Sequence, residues 1–303
     1  MALDFTPSMV NRNDNTIIII GTSGELLKMN SDYEQINQCS RPFPTSIMSG
    51  IIFDDMWIGI WIDRELQDAR MAGMPLDIDW EDGIGRDILR TSSSIENLDV
   101  MPKKSTWQKI LTAEPMGLAK VGENIVFATN NKGIYMINQE GEEIWREHYP
   151  VWRDLEISPE MNPIVSIIEV DSRIVIWSAA GGVAELAEDR VIKRSRIFRL
   201  KDKISSVKFS EKGGWFIMMH GKSVAILSDI DSEPVLIETP GPVLDAYFES
   251  EKGAWKWTGW RHDGEILMKN NIFSFKQREN IGIHISNSKI LTNDGLWEDY
   301  SSS

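Results

Sequence analysis

The chain has one cysteine, Cys39, so no disulfide can form within it and no set of thiolates is available to hold a metal. A reducing compartment follows as the expectation, and the cytoplasm is the location assigned. Long apolar runs are missing too. The longest, Met56-Trp-Ile-Gly-Ile-Trp-Ile62, is far short of the roughly 20 residues that span a bilayer, so no membrane association is expected. The N-terminal Met-Ala-Leu-Asp-Phe-Thr-Pro has no basic stretch followed by an apolar one and does not read as a secretory signal. Positive charge is in deficit: 32 Lys and Arg stand against 46 Asp and Glu, a net charge of −14. Such a surface repels phosphate backbones and anionic lipid, which argues against general nucleic-acid binding. Histidines are few, and His148, His220, His262 and His284 are never paired at metal-ligand spacing. No metal and no cofactor are expected. There is no Gly-x-Ser-x-Gly nucleophile elbow, and Gly21-Thr-Ser-Gly24 lacks the Lys-Ser/Thr of a phosphate loop, reading instead as a hairpin turn.

Hydrophobic residues make up 42% of the chain and charged residues 26%, the balance of a globular protein. Helical spacing of the apolar residues is rare, whereas short β-rich runs separated by Gly, Asn, Asp and Ser recur throughout. They form an internal unit: an apolar run, a Gly-containing turn, an alternating run, a polar turn and a further alternating run. It reads Asn124-Ile-Val-Phe-Ala-Thr, Gly133-Ile-Tyr-Met-Ile, Glu143-Ile-Trp-Arg, and returns as Arg173-Ile-Val-Ile-Trp, Gly182-Val-Ala-Glu-Leu, Val191-Ile-Lys-Arg. Further copies start at Gly214 and Ala254, and an N-terminal copy at Thr16 ends on Tyr33-Glu-Gln-Ile. An extra apolar run precedes several copies, which makes four strands, the content of one propeller blade.

Gly133 to Gly182 is 49 residues, Gly182 to Lys222 is 40 and Lys222 to Gly264 is 42, close to blades of about 40–45 residues. Gly24 to Gly133 is 109, which leaves about 25 residues beyond two repeats. An insertion is therefore expected at about residues 83–115, between the second and third blades, with Leu76-Asp-Ile-Asp-Trp80 as the strand before it. The fold predicted is all-β: a single domain over residues 1–303, a seven-bladed β-propeller of four-stranded antiparallel blades. The last copy stops at Leu296-Trp-Glu-Asp-Tyr300 without an outer strand. The segment Ala2-Leu-Asp-Phe-Thr6 is expected to supply it, so that N- and C-terminal strands close the ring.

Gly133-Ile-Tyr-Met-Ile-Asn-Gln-Glu-Gly-Glu-Glu-Ile-Trp145 is similar to a quinoprotein-type repeat. The chain as a whole resembles the WD-repeat-like and quinoprotein-like β-propellers, a likeness that implies a fold and not an activity.

Charge is unevenly spread. Residues 54–99 hold twelve acidic and four basic residues, net −8, whereas residues 190–203 hold seven basic and one acidic, net +6. The basic run, with Lys193, Arg194, Arg196 and Arg199, is the candidate contact for an acidic partner surface, against the alternative of a solvated outer strand. Asp77-Ile-Asp-Trp-Glu-Asp-Gly83 has carboxylates at alternating positions, but its spacing to glycine is wrong for a calcium loop. The insertion carries Ile84, Ile88, Leu89, Ile95, Leu98 and Trp107, more apolar groups than a linker needs. It is expected to pack on the propeller and to contribute to the site, with Trp107 as an aromatic anchor. The function these features favour is a non-catalytic protein–protein interaction scaffold. The alternative is an enzyme or small-ligand binder with its site at the mouth of the central channel.

Overall fold

The computed structural model describes residues 2–91, 100–187, 189–286 and 288–300. Seven antiparallel sheets follow one another along the chain, each built from consecutive strands. They fall into two compact units, Ser8–Pro150 and Met1–Pro7 with Val151–Ser303.

The first unit holds three blades. Blade one is β1 (Pro7–Arg12), β2 (Thr16–Gly21) and β3 (Leu26–Asn30). Blade two is β4 (Ser46–Phe53), β5 (Met56–Asp63), β6 (Asp68–Pro75) and β7 (Trp107–Ile110), with a short helix α1 (Arg86–Thr91) between the last two. Blade three is β8 (Pro115–Val121), β9 (Asn124–Thr129), β10 (Gly133–Ile137) and β11 (Glu143–Glu147). The middle strands are apolar on both faces because each is covered on both sides. Ile17 to Ile20 of β2 are completely buried, and Trp57 and Trp61 of β5 pack edge to face, 5.5 Å between ring centres.

The second unit holds four blades. They are β12 (Ile164–Val170), β13 (Arg173–Ser178), β14 (Gly182–Leu186) and β15 (Ile192–Ile197); β16 (Ile204–Ser210), β17 (Gly214–Met219), β18 (Ser223–Leu227) and β19 (Val235–Glu238); β20 (Val243–Glu249), β21 (Ala254–Gly259), β22 (His262–Leu267) and β23 (Ile272–Gln277); and β24 (Gly282–Ser286), β25 (Lys289–Thr292) and β26 (Trp297–Asp299). In every blade from the second onward the first strand carries a β-bulge near its start, as at Ile164/Ser166, Ile204/Ser206 and Val243/Asp245. In two blades the residue after the bulge reaches the neighbouring first strand. Ser166 Oγ accepts the Val207 N–H at 2.9 Å, and Asp245 Oδ2 accepts the Ile285 N–H at 3.1 Å. Asp245 also meets Lys208 Nζ at 2.9 Å and His284 Nδ1 at 2.5 Å, so one buried carboxylate joins three successive first strands.

Three expectations are corrected and a fourth is not confirmed. Residues 33–36 do not form an outer strand of blade one: Tyr33 is left-handed, and Asn37 Oδ1 takes the Lys28 N–H that a ladder would have used. Residues 76–80 are not a strand either. The third strand of blade two is β6, whose Asp68-Ala-Arg-Met-Ala-Gly-Met-Pro75 has weak β propensity and is held by burial and pairing on both sides. Because Trp107–Ile110 pairs with β6, the insertion spans residues 76–106 and interrupts blade two; it does not lie between blades two and three. Closure by a terminal strand is not confirmed. Among the described residues, 2–6 form no ladder, and the backbone bond from Leu3 N–H to Gly295 O at 3.1 Å ties them to the three-stranded last blade.

Candidate functional site

The basic run expected to meet an acidic partner lies on β15 and just beyond, and much of its charge is answered within the chain. Lys193 pairs with Asp189 at 2.6 Å, and Arg194 lies near Glu185, Asp229 and Asp231. Arg196 donates to the carbonyls of Ile230 and Ser232, each at 2.8 Å, pairs with Glu233 at 2.6 Å and covers the Phe198 ring. The turn between β18 and β19 is thus the acidic complement of the run, supplied by the next blade. Arg199 is exposed. Arg196→Glu should therefore destabilise the fold, since it strands two carbonyls and sets like charges together. A loss of about 2 kcal/mol is expected in urea unfolding, and an unchanged midpoint would show the contact to be idle.

Trp107 is a packing residue of β7. A Cβ built on Gly141 would lie 2.7 Å from its ring and one on Gly73 would lie 2.4 Å from its Nε1, so both glycines are needed for the indole to lie between blades two and three. It joins the core with Ile60, Met71 and Phe127.

The insertion is fastened to blades one and two at several points. Lys28 of β3, 2% exposed, donates from Nζ to Leu76 O at 2.9 Å and Ile78 O at 2.5 Å, with its ammonium 4.9 Å from the centre of the Trp80 ring. Burial pushes the Lys28 pKa down, opposed by Asp79 and Asp77. These aspartates, whose spacing did not fit a calcium loop, flank a buried lysine. Among the described residues no group of three or more His, Cys, Asp and Glu could hold a metal ion. Further along, Gly83 N–H donates to Arg41 O and Lys103 N–H to Pro42 O, each at 2.9 Å, and Asp82 accepts the Arg41 N–H at 2.7 Å. Leu89 of α1 is buried in the core with Phe43, Trp57 and Trp61. Ser92 to Ser94, Ile95 and Leu98 lie outside the described residues.

Fastened in this way, the insertion forms one wall of a pocket of about 530 Å³. The opposite walls come from the β2–β3 turn, residues 41–46 and the end of β5. Three arginines meet there, Arg41, Arg64 and Arg86. Each is held by carboxylate: Arg41 by Glu25 at 2.5 Å, Arg64 by Glu114 at 2.6 Å, and Arg86 by Asp63 at 2.8 Å and Glu65 at 2.7 Å. The Arg86 hydrogen bond, aided against burial by the N–H groups of Leu66 and Glu65, holds the Asp63 carboxyl below its ordinary pKa. For Glu25 burial works against ionisation, but its own N–H, that of Ser23 and Arg41 outweigh it and lower the pKa. A second pocket of about 480 Å³ shares Ile62, Asp63 and Arg64 and extends toward Leu111 and Glu114. The lining arginines lie at separate places in the sequence, so no local pattern could have marked them.

No family model matches the chain, and no curated protein matches its sequence. Solved structures do match. The chain has the fold of a β-propeller. The β-propeller domain of Cps50 (Swd1) from Myceliophteria thermophila superposes with a TM-score of 0.67 at 10% identity, covering 97% of this chain and 96% of that one. A streptogramin B lyase gives 0.67 at 10% identity over 98% and 91% of the two chains. BamB from Moraxella catarrhalis gives 0.60, again at 10% identity, over 98% and 84%. The likeness to WD-repeat-like propellers expected from the sequence is thus a likeness of fold. A lyase is among the structures that share it, so the activity must be argued from this chain's own site.

Proposed function

We propose that the chain is a non-catalytic docking platform for a protein partner, and that the partner seats on the pocket walled by the insertion in the unit Ser8–Pro150. The observation that carries this reading is the anchoring of the insertion. Ordering a long excursion from a repeat costs conformational entropy that contacts must offset, and here a buried lysine, a buried leucine and backbone bonds fix it while Ile84, Gly85 and Arg86 line an open pocket. Rigid loops on a β scaffold are the usual place for recognition. A second reading, a small-ligand binder, is favoured by the pocket's volume, which lies within the range of ligand sites.

The test is site-directed photo-crosslinking in the native cell, with the reactive residue at Ser23 or Gly85 and, as control, at Ile144 on β11. Docking predicts a discrete crosslinked polypeptide from Ser23 and Gly85 that is missing from the control. Equal yield from Ile144, or no crosslinked chain from the pocket positions, would contradict it.

A further inference from the structure

The pocket in the first unit is lined by three arginines, four hydroxyl side chains and one carboxylate. Asp63, the carboxylate in its wall, has both oxygens engaged: Oδ1 accepts the Glu65 and Leu66 N–H groups and Oδ2 accepts Arg86 Nε. The carboxylates that hold the arginines use only part of each guanidinium. Arg86 is bound through Nε and Nη2, Arg64 through Nε and Nη2, and Arg41 through Nη2, which leaves Nη1 of all three without a side-chain partner. Thr45 is 5% exposed and lines the same pocket, and its buried Oγ1 has no hydrogen-bond partner. Three guanidiniums with unused N–H groups favour a ligand rich in acceptors and poor in donors.

We infer that this pocket binds a phosphate monoester. A tetrahedral dianion offers several acceptor oxygens to guanidiniums approaching from different sides, and a guanidinium can bind two of them at once. The carboxylates behind the arginines pre-orient them, so little side-chain entropy is lost on binding. The pocket's volume exceeds that of the phosphate, leaving space for the group that carries it. The chemistry rests on the pocket alone. That a protein partner carries the phosphate, as a phosphorylated side chain, rests on the docking reading above.

Two variants test the inference with little risk to the fold. A Cβ on Gly85 meets nothing within 4 Å, so Gly85→Phe fills the pocket without a backbone clash. Arg64 is mostly exposed, so Arg64→Gln removes one guanidinium at small structural cost. The ligands are inorganic phosphate and a capped phosphoserine tripeptide, titrated calorimetrically against sodium chloride at equal ionic strength. Saturable binding of phosphate or phosphopeptide, weakened at least tenfold in both variants, is the expected result. Phosphopeptide binding ten times tighter than phosphate points to a partner side chain, and equal affinity points to a free phosphate compound. No saturable heat from either ligand beyond the chloride control, or full affinity in Gly85→Phe, overturns the site. If phosphate binds while no chain crosslinks at Ser23, the docking reading fails and the anion site stands; crosslinking without phosphate binding gives the reverse.

Discussion

Lys28→Met lowers the unfolding free energy by about 3 kcal/mol and opens the insertion to protease. The substitution keeps the length and apolar stem of the side chain but removes two charge-assisted bonds to carbonyl oxygen, which contribute roughly 1.5–3 kcal/mol each. Leu76 O and Ile78 O then lose their buried donor, and Trp80 loses the ammonium over its ring. The loss should appear twice: as a lower urea midpoint, and as cleavage within residues 76–106 at protease levels that leave the parent chain intact. Unchanged stability with an intact insertion would mean that Leu89 and the backbone bonds to Arg41 and Pro42 hold it unaided.

The second large effect is at Asp245. Burial works against its ionisation, yet Lys208 and His284 hold its pKa well below the ordinary 3.8. A carboxylate whose pKa is depressed on folding stabilises the protein above its ordinary value, and that contribution is lost as pH falls through the folded value. Asp245→Asn keeps an acceptor for the Ile285 N–H but abolishes the charge between Lys208 and His284. At neutral pH it should cost about 3 kcal/mol, the effect of breaking a buried pair. The gap between variant and parent should narrow from about pH 4 downward, as the carboxylate takes up a proton first in the unfolded chain and, at lower pH, in the folded parent. A gap independent of pH would show that Asp245 acts by shape and not by charge.

The blades were legible in the sequence where strands were long, apolar and bounded by turn residues. Asn124-Ile-Val-Phe-Ala-Thr, Arg173-Ile-Val-Ile-Trp and Gly214-Trp-Phe-Ile-Met-Met occupy the second-strand positions in their blades because a strand covered on both faces must be apolar at every residue. β6 was not legible. Its buried Arg70 looks like a surface residue until Asp68 is seen 2.8 Å away, and the apparent strand at residues 76–80 drew its alternation from Trp80 and Lys28 contacts that no local pattern encodes. Trp107 stood out as an aromatic in a polar stretch. Its role followed from Gly73 and Gly141, which are 34 residues away on either side and carry no mark of contact. The basic run was visible as charge, but its complement at Asp229, Asp231 and Glu233 belongs to the adjacent blade, and pairing across blades is a property of the fold. The pocket was invisible for the same reason: Arg41, Arg64 and Arg86 come from three different connections.

The account depends on the insertion being a fixed wall, and amide hydrogen exchange at Gly83 and Lys103 tests that most directly. Each N–H donates at 2.9 Å to a carbonyl of the segment before β4. If the wall is fixed, both amides exchange far more slowly than free peptide, and both lose that protection in Lys28→Met. Exchange of both at the rate of an unstructured chain in the parent protein would contradict the account.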